Sequence, residues 1–445
     1  MDDTTNGIIW PGGRCSWPEF WQQVQLLQET LPAPLEAGEK VLIRPQHYME
    51  GLVVLGACLT SDAVAVIDET GNLPLTPDLR PVDWKWTPVP AVAGLTVPDL
   101  RHLQGEESGR IILCTSGATG TPKQVEKSPA SLLREGEELR RLYGLPEAAT
   151  IVSLISPLQI HGLLNTFLLA LAGKDRVIFP LKESLPVPEL IPAGCDLLVS
   201  VPARWSLCRS LLRNCRVQTM LTSGAAFGEE RRSQLAGLAV RPQRTLEILG
   251  SSETGGIAWR QLPDDDTFLP LPGVELTPEG EDRTRMRSPF LFPRDEEVIL
   301  DDHLIPAGDG RWSWAGRSDR QFKANGRPWS LPGIEADLVD VEGSGAPIVC
   351  VFIEDEKADQ GGTLMAWMET GARVTGFDPA GILRAYRRRH PDHPCPAGLF
   401  DRHRLPRDSD GKVRLNVLQG LSRNRLGELP EKPPSPESLF TPGIQ

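Results

Sequence analysis

The sequence predicts an α/β protein with a large N-terminal domain of parallel or mixed sheets covered by helices, a β-rich subdomain and a small α+β C-terminal domain. Two observations predict the large domain: apolar runs of strand length recur up to Gly250, and helical patterns separate many of them. Near-continuous apolar strands that alternate with helices are typical of parallel sheets buried on both faces. After about Pro263 the composition changes, and the Pro, Gly and acidic residues that dominate up to Asp309 predict the β-rich subdomain.

The individual elements follow from periodicity and end signals. The first is an amphipathic helix capped by Ser16, with Glu19 completing a capping box. The predicted strands of the large domain are Lys40–Arg44, Ala63–Asp68, Arg110–Ser116, Thr150–Ser156, Arg176–Pro180, Asp196–Pro202, Val217–Ser223 and Thr245–Gly250. The helical patterns include Ser128–Tyr143, His161–Ala172, Arg204–Arg213 and Gly228–Leu238. In the C-terminal domain the predicted elements are strands at Pro347–Glu354 and Thr363–Glu369 and a helix at Pro379–Arg389.

The length of the chain predicts more than one domain. Its 445 residues are too many for one core of typical size. We expect a boundary near Arg317–Asp319, with a large domain over residues 1–317 and a small domain over residues 319–425. Residues 427–445 are rich in Pro, Glu and Ser, and this composition predicts a disordered tail.

Composition excludes several classes of protein. A net charge of -12 argues against a nucleic-acid partner, no apolar run approaches membrane-spanning length, and the acidic N-terminus is not a secretory signal. The eight cysteines never form C-x-x-C and most lie in apolar runs, so we expect reduced core residues of a cytoplasmic protein without a zinc site or disulfide framework. His390 and His393 lie beside prolines, which is more typical of a loop than of a metal site.

The strongest functional signal is an apolar strand from Ile111 that leads into a loop of hydroxyls, glycines and one lysine. The loop contains Thr115, Ser116, Gly117, Thr119, Gly120, Thr121 and Lys123. Glycines let backbone N–H groups approach phosphate oxygens, hydroxyls add donors, and the lysine adds positive charge, so the loop suits a polyphosphate. Its spacing matches neither the common P-loop nor the dinucleotide fingerprint. An ordinary polar turn is the alternative interpretation.

Three more motifs follow in a fixed order. Glu253 comes after an apolar strand and is placed to hold a hard cation such as Mg²⁺, although a carboxylate here also suits a helix N-cap. Asp309 is a candidate acceptor from ribose hydroxyls, and Arg317 is a candidate partner for ribose or phosphate oxygens. Near the end of the chain, a turn presents Lys412, which in isolation would be one more solvated lysine.

Together these motifs resemble those of the adenylate-forming (ANL) superfamily, which includes acyl- and aryl-CoA synthetases, adenylation domains of peptide synthetases and firefly luciferase. The resemblance runs from about Ile111 to Leu418. It implies ATP as co-substrate, Mg²⁺ held by Glu253, and Lys412 contacting the attacking carboxylate and the α-phosphate. It also implies a small C-terminal domain that rotates about the hinge Asp319 between two half-reactions. The further nucleotide-binding residues that it implies are the phosphate loop from Thr115 to Lys123, Gly224 and Ala225 beside adenine, Leu249, Gly250, Ser251 and Ser252, and Asp309 and Arg317.

Some positions depart from the family pattern or allow two roles. Leu249 stands where the family usually has a tyrosine that stacks on adenine, so apolar contact replaces stacking. Ala118 and Ala307 replace threonines, and neither change removes a charged group. His161 either borders the acyl pocket, as the resemblance implies, or packs at the start of its helix.

The resemblance implies an acid–thiol ligase, which makes an acyl-AMP with release of pyrophosphate and passes the acyl group to a phosphopantetheine thiol. The run Ser156–Gly162 has no acid to hold an α-amino group, so an aryl or fatty carboxylate fits better than an amino acid. The segment Gly250–Arg260 is similar to small stand-alone ligases that charge carrier proteins, but coenzyme A remains an alternative acceptor. The other hypotheses are an adenylate-former with a different acceptor and a non-catalytic relative that binds nucleotide or a carrier protein.

Overall fold

The computed structural model describes residues 6–44, 47–69, 73–82, 84–86, 98, 110–115, 123–182, 185–280, 283–292, 297–317, 320–324, 327–354, 362–371, 377–391, 393–407 and 413–426. The chain divides into two compact units. The N-terminal unit comprises Met1–Leu300 and Leu304–Trp314, and the C-terminal unit comprises Asp301–His303 and Ala315–Gln445. Within the described residues, every helix is too short or too polar to cross a membrane.

Helices and strands alternate along most of the N-terminal unit, and the ranges below give the elements of both units in chain order. The strands are β1 Gly7–Trp10, β2 Gly13–Ser16, β3 Lys40–Ile43, β4 Val64–Ile67, β5 Leu79–Pro81, β6 Arg110–Thr115, β7 Lys123–Lys127, β8 Thr150–Ser153, β9 Arg176–Ile178, β10 Leu181–Lys182, β11 Leu185–Pro186, β12 Gly194–Ser200, β13 Arg216–Ser223, β14 Arg244–Ser251, β15 Gly255–Gln261, β16 Leu269–Pro270, β17 Glu275–Glu279, β18 Arg283–Arg287, β19 Glu297–Ile299, β20 Asp302–Gly308, β21 Arg311–Arg317, β22 Gln321–Ala324, β23 Arg327–Ser330, β24 Ile348–Glu354, β25 Gly362–Glu369 and β26 Gly398–Arg402. The α-helices are α1 Trp17–Thr30, α2 Tyr48–Ser61, α3 Pro129–Tyr143, α4 Ile160–Gly162, α5 Leu169–Gly173, α6 Trp205–Leu211, α7 Glu229–Ala236, α8 Leu331–Glu342, α9 Pro379–Arg389 and α10 Leu415–Arg425.

A nine-stranded sheet forms the centre of the N-terminal unit, in the order β16-β15-β14-β13-β12-β8-β9-β1-β2. The six strands from β14 to β1 are parallel. β15 is antiparallel to β14, and the edge strands β16 and β2 are antiparallel to their neighbours β15 and β1. A second sheet has the order β5-β3-β4-β6-β7, in which only β7 is antiparallel. The prediction of parallel and mixed sheets in an α/β fold is therefore confirmed.

The first helix forms as its sequence predicts. The Ser16 side chain accepts from the backbone N–H of Glu19, and the Glu19 carboxylate accepts from Ser16 N at 2.6 Å. One face of α1 buries Trp17, Phe20 and Trp21 against the helices that cover the sheets. The capping box thus fixes where the helix begins, and burial of its aromatic face holds it in place.

The predicted helix at His161–Ala172 is helical but irregular. Between α4 and α5, residues Leu163–Leu168 form a π-helical segment. Within it the Asn165 side chain donates to the His161 carbonyl at 2.9 Å, and the Thr166 hydroxyl donates to the Gly162 carbonyl at 2.5 Å. Side-chain donors that occupy main-chain carbonyls compete with the regular helical ladder, which accounts for the wider turn.

The C-terminal unit is built on the sheet β24-β25-β26, in which β24 is antiparallel and β26 parallel to β25. Alternate residues of β24 point to opposite faces, so Ile348 and Cys350 pack with α8 and α9 whereas Val349 and Val351 pack with α10. The predicted helix Pro379–Arg389 has the same bounds as α9. A small α+β unit at the C-terminal end is thus present as the sequence predicts.

Candidate active site

The candidate site lies at one edge of the large sheet, where three parallel strands end. β12 ends at Ser200, β13 at Ser223 and β14 at Ser251. Because carboxyl ends of parallel strands meet at one edge, the segments that follow them lie side by side. Open α/β sheets bind ligands at this edge. The predicted adenine segment and Glu253 both follow strands that end there.

A tight turn joins β14 to β15 and presents Glu253. Ser251 N donates to Thr254 Oγ1 at 3.3 Å, and Thr254 N donates to Ser251 Oγ at 3.2 Å, so the turn closes on itself. The Glu253 side chain remains 40% exposed, and Ser252 beside it is half-buried. The chain continues as a strand from Gly255, so Glu253 does not cap a helix and that alternative interpretation is excluded.

Lys123 reaches the Glu253 carboxylate. Its Nζ lies 2.6 Å from Glu253 Oε1, and the lysine side chain is 57% exposed. Partial burial pushes the pKa of Glu253 upward. The hydrogen bond and charge of Lys123, together with hydrogen bonds from the Glu253 backbone and the Ser251 side chain, more than offset this and hold the pKa below its usual value. The carboxylate is therefore anionic at neutral pH, with oxygens of the kind that Mg²⁺ prefers.

A buried lysine binds the backbone of the turn that presents Glu253. Lys127 is 1% exposed, and its Nζ donates to the backbone carbonyl of Glu253 at 2.7 Å. Burial lowers the pKa of Lys127, while the charges of Glu135 and Glu253 oppose that shift. Sequence analysis missed this residue, although the strand period places Lys123 and Lys127 on the same face of β7.

A buried glutamate holds the other side of the turn. Glu135, on α3, is 2% exposed, and its Oε1 accepts from Gly256 N at 2.6 Å. Burial raises the pKa of Glu135 to about 7, against the opposing effects of the Gly256 N–H and Lys127. Gly255 has φ +74°, and a Cβ there would lie 2.6 Å from Glu135 Oε2, so both conformation and space require glycine.

The predicted adenine segment is anchored to the end of β14. The Ser223 hydroxyl donates to the Ile248 carbonyl at 2.8 Å, and Gly224 then adopts φ +83°. Both Gly224 and Ala225 are exposed. Leu249, in place of the stacking tyrosine, is half-buried and packs against the core. An apolar surface is therefore present where the resemblance implies contact with adenine.

Glu247 fixes the loop that follows this segment, a role that sequence analysis missed. It is 3% exposed; its Oε1 accepts from Phe227 N at 2.9 Å and its Oε2 accepts from Arg260 Nε at 2.7 Å. The Arg260 guanidinium lies over the Phe268 ring, 4.5 Å from its centroid. A polar residue inside a predicted buried strand was the signal that would have found Glu247.

Both ring nitrogens of His161 are engaged in hydrogen bonds. The Ser200 carbonyl can only accept, so Nε2 donates to it at 3.1 Å, and Nδ1 accepts from Asn165 Nδ2 at 3.1 Å. The Asn165 Oδ1 in turn accepts from the Tyr143 hydroxyl at 2.6 Å. This chain orients the ring at the end of β12 and leaves it half-buried. The role of His161 at an acyl pocket stays a prediction.

The remaining predicted site residues lie in other elements of the protein or outside the residues that the structure describes. Asp309 is exposed in the hairpin turn between β20 and β21 and has φ +49°. The backbone of Thr115 ends β6 opposite Lys123, and Arg317 ends β21. Seven predicted site residues lie outside the described residues: Ser116, Gly117, Thr119, Gly120, Thr121, Asp319 and Lys412.

Comparisons with known proteins agree with this arrangement. Residues 83–286 match the AMP-binding enzyme family. A 4-coumarate–CoA ligase of Cereibacter sphaeroides is 28% identical over 241 residues, which are 51% of this chain and 53% of the ligase. The chain thus spans about half the length of this curated relative.

Solved structures share the fold. ATP-bound MatB from Rhodopseudomonas palustris matches with TM-score 0.72 and 16% identity, over 95% of this chain and 97% of MatB. An O-succinylbenzoate coenzyme A synthetase (MenE) from Bacillus subtilis, in complex with ATP and a magnesium ion, matches with TM-score 0.71 and 14% identity, over 93% and 96% of the two chains. The family match over residues 83–286 agrees with the resemblance to the ANL adenylate-forming superfamily that the motifs predict, and the solved structures share the fold of this chain.

Proposed function

We propose that the protein is an ATP-dependent acid–thiol ligase. It activates an aryl or fatty carboxylate as an acyl adenylate, releases pyrophosphate, and transfers the acyl group to a phosphopantetheine thiol. The observation that carries the proposal is the contact of Lys123 with Glu253, which joins the strand after the predicted phosphate loop to the carboxyl edge of the large sheet. A lysine and a carboxylate at this place are what a complex of a divalent cation and a polyphosphate needs.

The first half-reaction brings two anions together. A carboxylate oxygen of the substrate bonds to the α-phosphorus of ATP, and the bond to the bridging oxygen breaks as its electron pair leaves with pyrophosphate. Positive charge must therefore be supplied where the anions meet. Lys123 is a described source of that charge on the phosphate side, and Lys412 is the proposed source near the carboxylate. A general base is unnecessary because a carboxylate is already ionised at pH 7.

Glu253 fits a role as magnesium ligand. It offers an exposed, anionic carboxylate, and Mg²⁺ is commonly held by one or two carboxylates together with substrate phosphates. When bound, Mg²⁺ supplies charge neutralisation to phosphate oxygens. Lys123, which shares the carboxylate here, gains a new partner when a phosphate is present. Asp309 and Arg317 remain the proposed ribose contacts.

In the second half-reaction, the thiol sulfur attacks the acyl carbonyl carbon, the thiol proton is released to solvent, and AMP leaves with the electron pair of the broken C–O bond. Coenzyme A is the first acceptor to test because the curated relative is named as a CoA ligase. A phosphopantetheinylated carrier protein is the second acceptor. His161 fits a wall that orients the acyl group rather than a proton carrier, because both its nitrogens are already bonded.

The deciding experiment is pyrophosphate release, with the adenylate trapped by hydroxylamine, across a panel of aryl, fatty and amino acids. We expect hydroxamates from aryl or fatty acids and thioester when coenzyme A is added. The variant Glu253→Gln keeps the shape of the side chain and is expected to lose about 100-fold in rate, whereas the matched control Glu275→Gln, on exposed β17, keeps the wild-type rate.

Three outcomes would contradict the proposal. Nucleotide binding without pyrophosphate release from any acid would favour the non-catalytic relative. A wild-type rate in Glu253→Gln would remove the basis of the magnesium site. Hydroxamate formation without thioester from either acceptor would point instead to an adenylate-former with another acceptor.

A further inference from the structure

A cluster of three metal-ligating side chains lies in the C-terminal unit, outside the candidate active site. Asp337 lies on α8, His390 follows the last residue of α9, and His393 lies in the segment after it. One ligand atom from each residue lies within 4.8 Å of the others. From the sequence the two histidines were assigned to a loop because prolines lie beside them. Asp337 is more than fifty residues away in the chain, and its approach is visible only in the fold.

The geometry points to a binding site for one divalent transition-metal ion of the zinc class, held by Asp337, His390 and His393. Asp337 Oδ2 lies 3.0 Å from His393 Nδ1 and 3.7 Å from His390 Nδ1. A tetrahedral ion with bonds of about 2.0–2.1 Å requires ligand atoms about 3.3 Å apart. The two distances to Asp337 lie on either side of that value, and the ligand atoms all lie within 4.8 Å of one another, so side-chain rotations can bring the three donors to one ion.

The state of His390 supports a cation at this position. Its Nδ1 lies 3.7 Å from Asp337 Oδ2, which is too far for a hydrogen bond. Two imidazole nitrogens therefore face a single carboxylate oxygen, and only the His393 contact is short enough to be a hydrogen bond. A metal ion would give His390 Nδ1 a partner and would let all three donors share one positive charge.

Aromatic neighbours hold both rings in place. His390 stacks on Tyr386 with ring centroids 5.1 Å apart, and on His393 with centroids 5.0 Å apart. The Trp329 and His393 rings meet in a T-shaped arrangement with centroids 5.1 Å apart. The three ligand side chains are each partly exposed, between 20% and 37%, so solvent can deliver an ion and fill a remaining coordination position. Donors that are held before binding lose less freedom when the ion arrives.

The chemical types of these three donor side chains favour some metal ions over others. Two imidazoles and one carboxylate suit Zn²⁺ and neighbouring transition metals, whereas Mg²⁺ and Ca²⁺ prefer sites built from oxygen alone. The proposed ion therefore differs in class from the magnesium proposed at Glu253. Its structural effect would be to tie α8 to the end of α9, two elements that pack on the same face of the C-terminal sheet.

The test is zinc titration of the full chain after chelator treatment and desalting, followed by calorimetry and by the visible absorption of bound Co²⁺. We expect one Zn²⁺ per chain, a raised melting temperature, and a tetrahedral Co²⁺ spectrum. Asp337→Asn and His393→Ala are expected to weaken zinc binding by tenfold or more. The control His403→Ala removes an exposed histidine of the same unit and is expected to bind zinc like the wild type.

Several results would overturn the inference. The wild type would bind no Zn²⁺, or Asp337→Asn and His393→Ala would bind it as tightly as His403→Ala, which would place any zinc on other residues. Asp337→Asn preserves side-chain shape, so its metal-free melting temperature separates loss of the site from loss of the fold. Pyrophosphate release in Mg²⁺ is measured in parallel, because failure of the ligase proposal leaves this zinc test unaffected.

Discussion

Replacing Glu135 by glutamine tests whether a titrating carboxyl lies behind the Glu253 turn. Glutamine keeps the shape of the protonated acid and an oxygen to accept from Gly256 N, but it cannot ionise. Burial raises the pKa of Glu135 from its ordinary value of 4.5 to about 7. A group whose pKa is higher in the folded state contributes stability that is full below pH 4.5 and is lost as pH rises through 7.

The magnitude follows from that difference in pKa. The gap between 4.5 and 7 corresponds to about 3 kcal/mol of unfolding free energy, most of which is lost between pH 5 and pH 8. Glu135 is 2% exposed, so solvent screening does not reduce this figure. Over that pH range the wild type is therefore expected to lose roughly 2–3 kcal/mol relative to Glu135→Gln.

The assay is urea unfolding at pH 5, 6, 7 and 8, read by pulsed hydrogen exchange in peptides from α3 and β14. These peptides report on the N-terminal unit alone, which matters because the chain has two units and need not unfold in one step. Glu275→Gln, which removes an exposed carboxylate, serves as the control and is expected to follow the wild type. Parallel stability curves for the wild type and Glu135→Gln from pH 5 to pH 8 would refute the reasoning.

Three further substitutions test the turn and the proposed chemistry. Lys127→Met removes the donor to the turn carbonyl and is expected to raise the Mg²⁺ concentration for half-maximal pyrophosphate release by about tenfold, since a hydrogen bond from a charged donor contributes about 1.5–3 kcal/mol. Gly255→Ala is expected to lower the melting temperature of the N-terminal unit in calorimetry more than Gly280→Ala, because both have positive φ but only Gly255 would place a Cβ against Glu135. Lys412→Ala is expected to abolish pyrophosphate release while the melting temperature stays at the wild-type value.

Each of these expectations has an outcome that contradicts it. An unchanged Mg²⁺ dependence in Lys127→Met, matching that of the exposed control Lys182→Met, would mean that the buried lysine does not position the turn. Equal melting temperatures for the two alanine variants would mean that the space beside Glu135 is not restrictive. Full activity in Lys412→Ala would require another cation near the carboxylate.

The fold was predictable where burial dictates composition. Strands of a parallel sheet covered on both faces must be apolar along their length, so β3, β4, β6 and β13 lie within a residue or two of the predicted bounds. The helix α2 escapes prediction from periodicity because residues 51–59 are all buried, and a helix buried on all sides has no polar face. In α8, Pro332 and Gly333 obscure a helix that Ser330 nevertheless caps.

The site residues were predictable only where they stand in a recognisable short sequence motif. Lys123 and Glu253 stand in short signatures, and the structure brings them together. Lys127 and Glu135 could not be assigned from sequence, because their roles depend on burial and on contacts with a turn more than a hundred residues away. Other predicted roles stay predictions because their residues lie outside the described ones. These are the phosphate-loop residues from Ser116 to Thr121, the hinge Asp319 and Lys412.

The two lysines of β7 differ in a way that assigns them different tasks. Both lie on the same face of one strand and both reach the Glu253 turn, one at its side chain and one at its backbone. The pair of Lys123 with Glu253 is exposed, and exposed ion pairs contribute at most about 1 kcal/mol, so Lys123 can exchange the carboxylate for a phosphate at little cost. Lys127 is buried, and removing it would take away the hydrogen bond that the part-buried Glu253 carbonyl accepts from its Nζ. We therefore expect Lys127 to keep the turn attached to the strand after the predicted phosphate loop when Lys123 exchanges the carboxylate for a phosphate, so that Glu253 keeps its position.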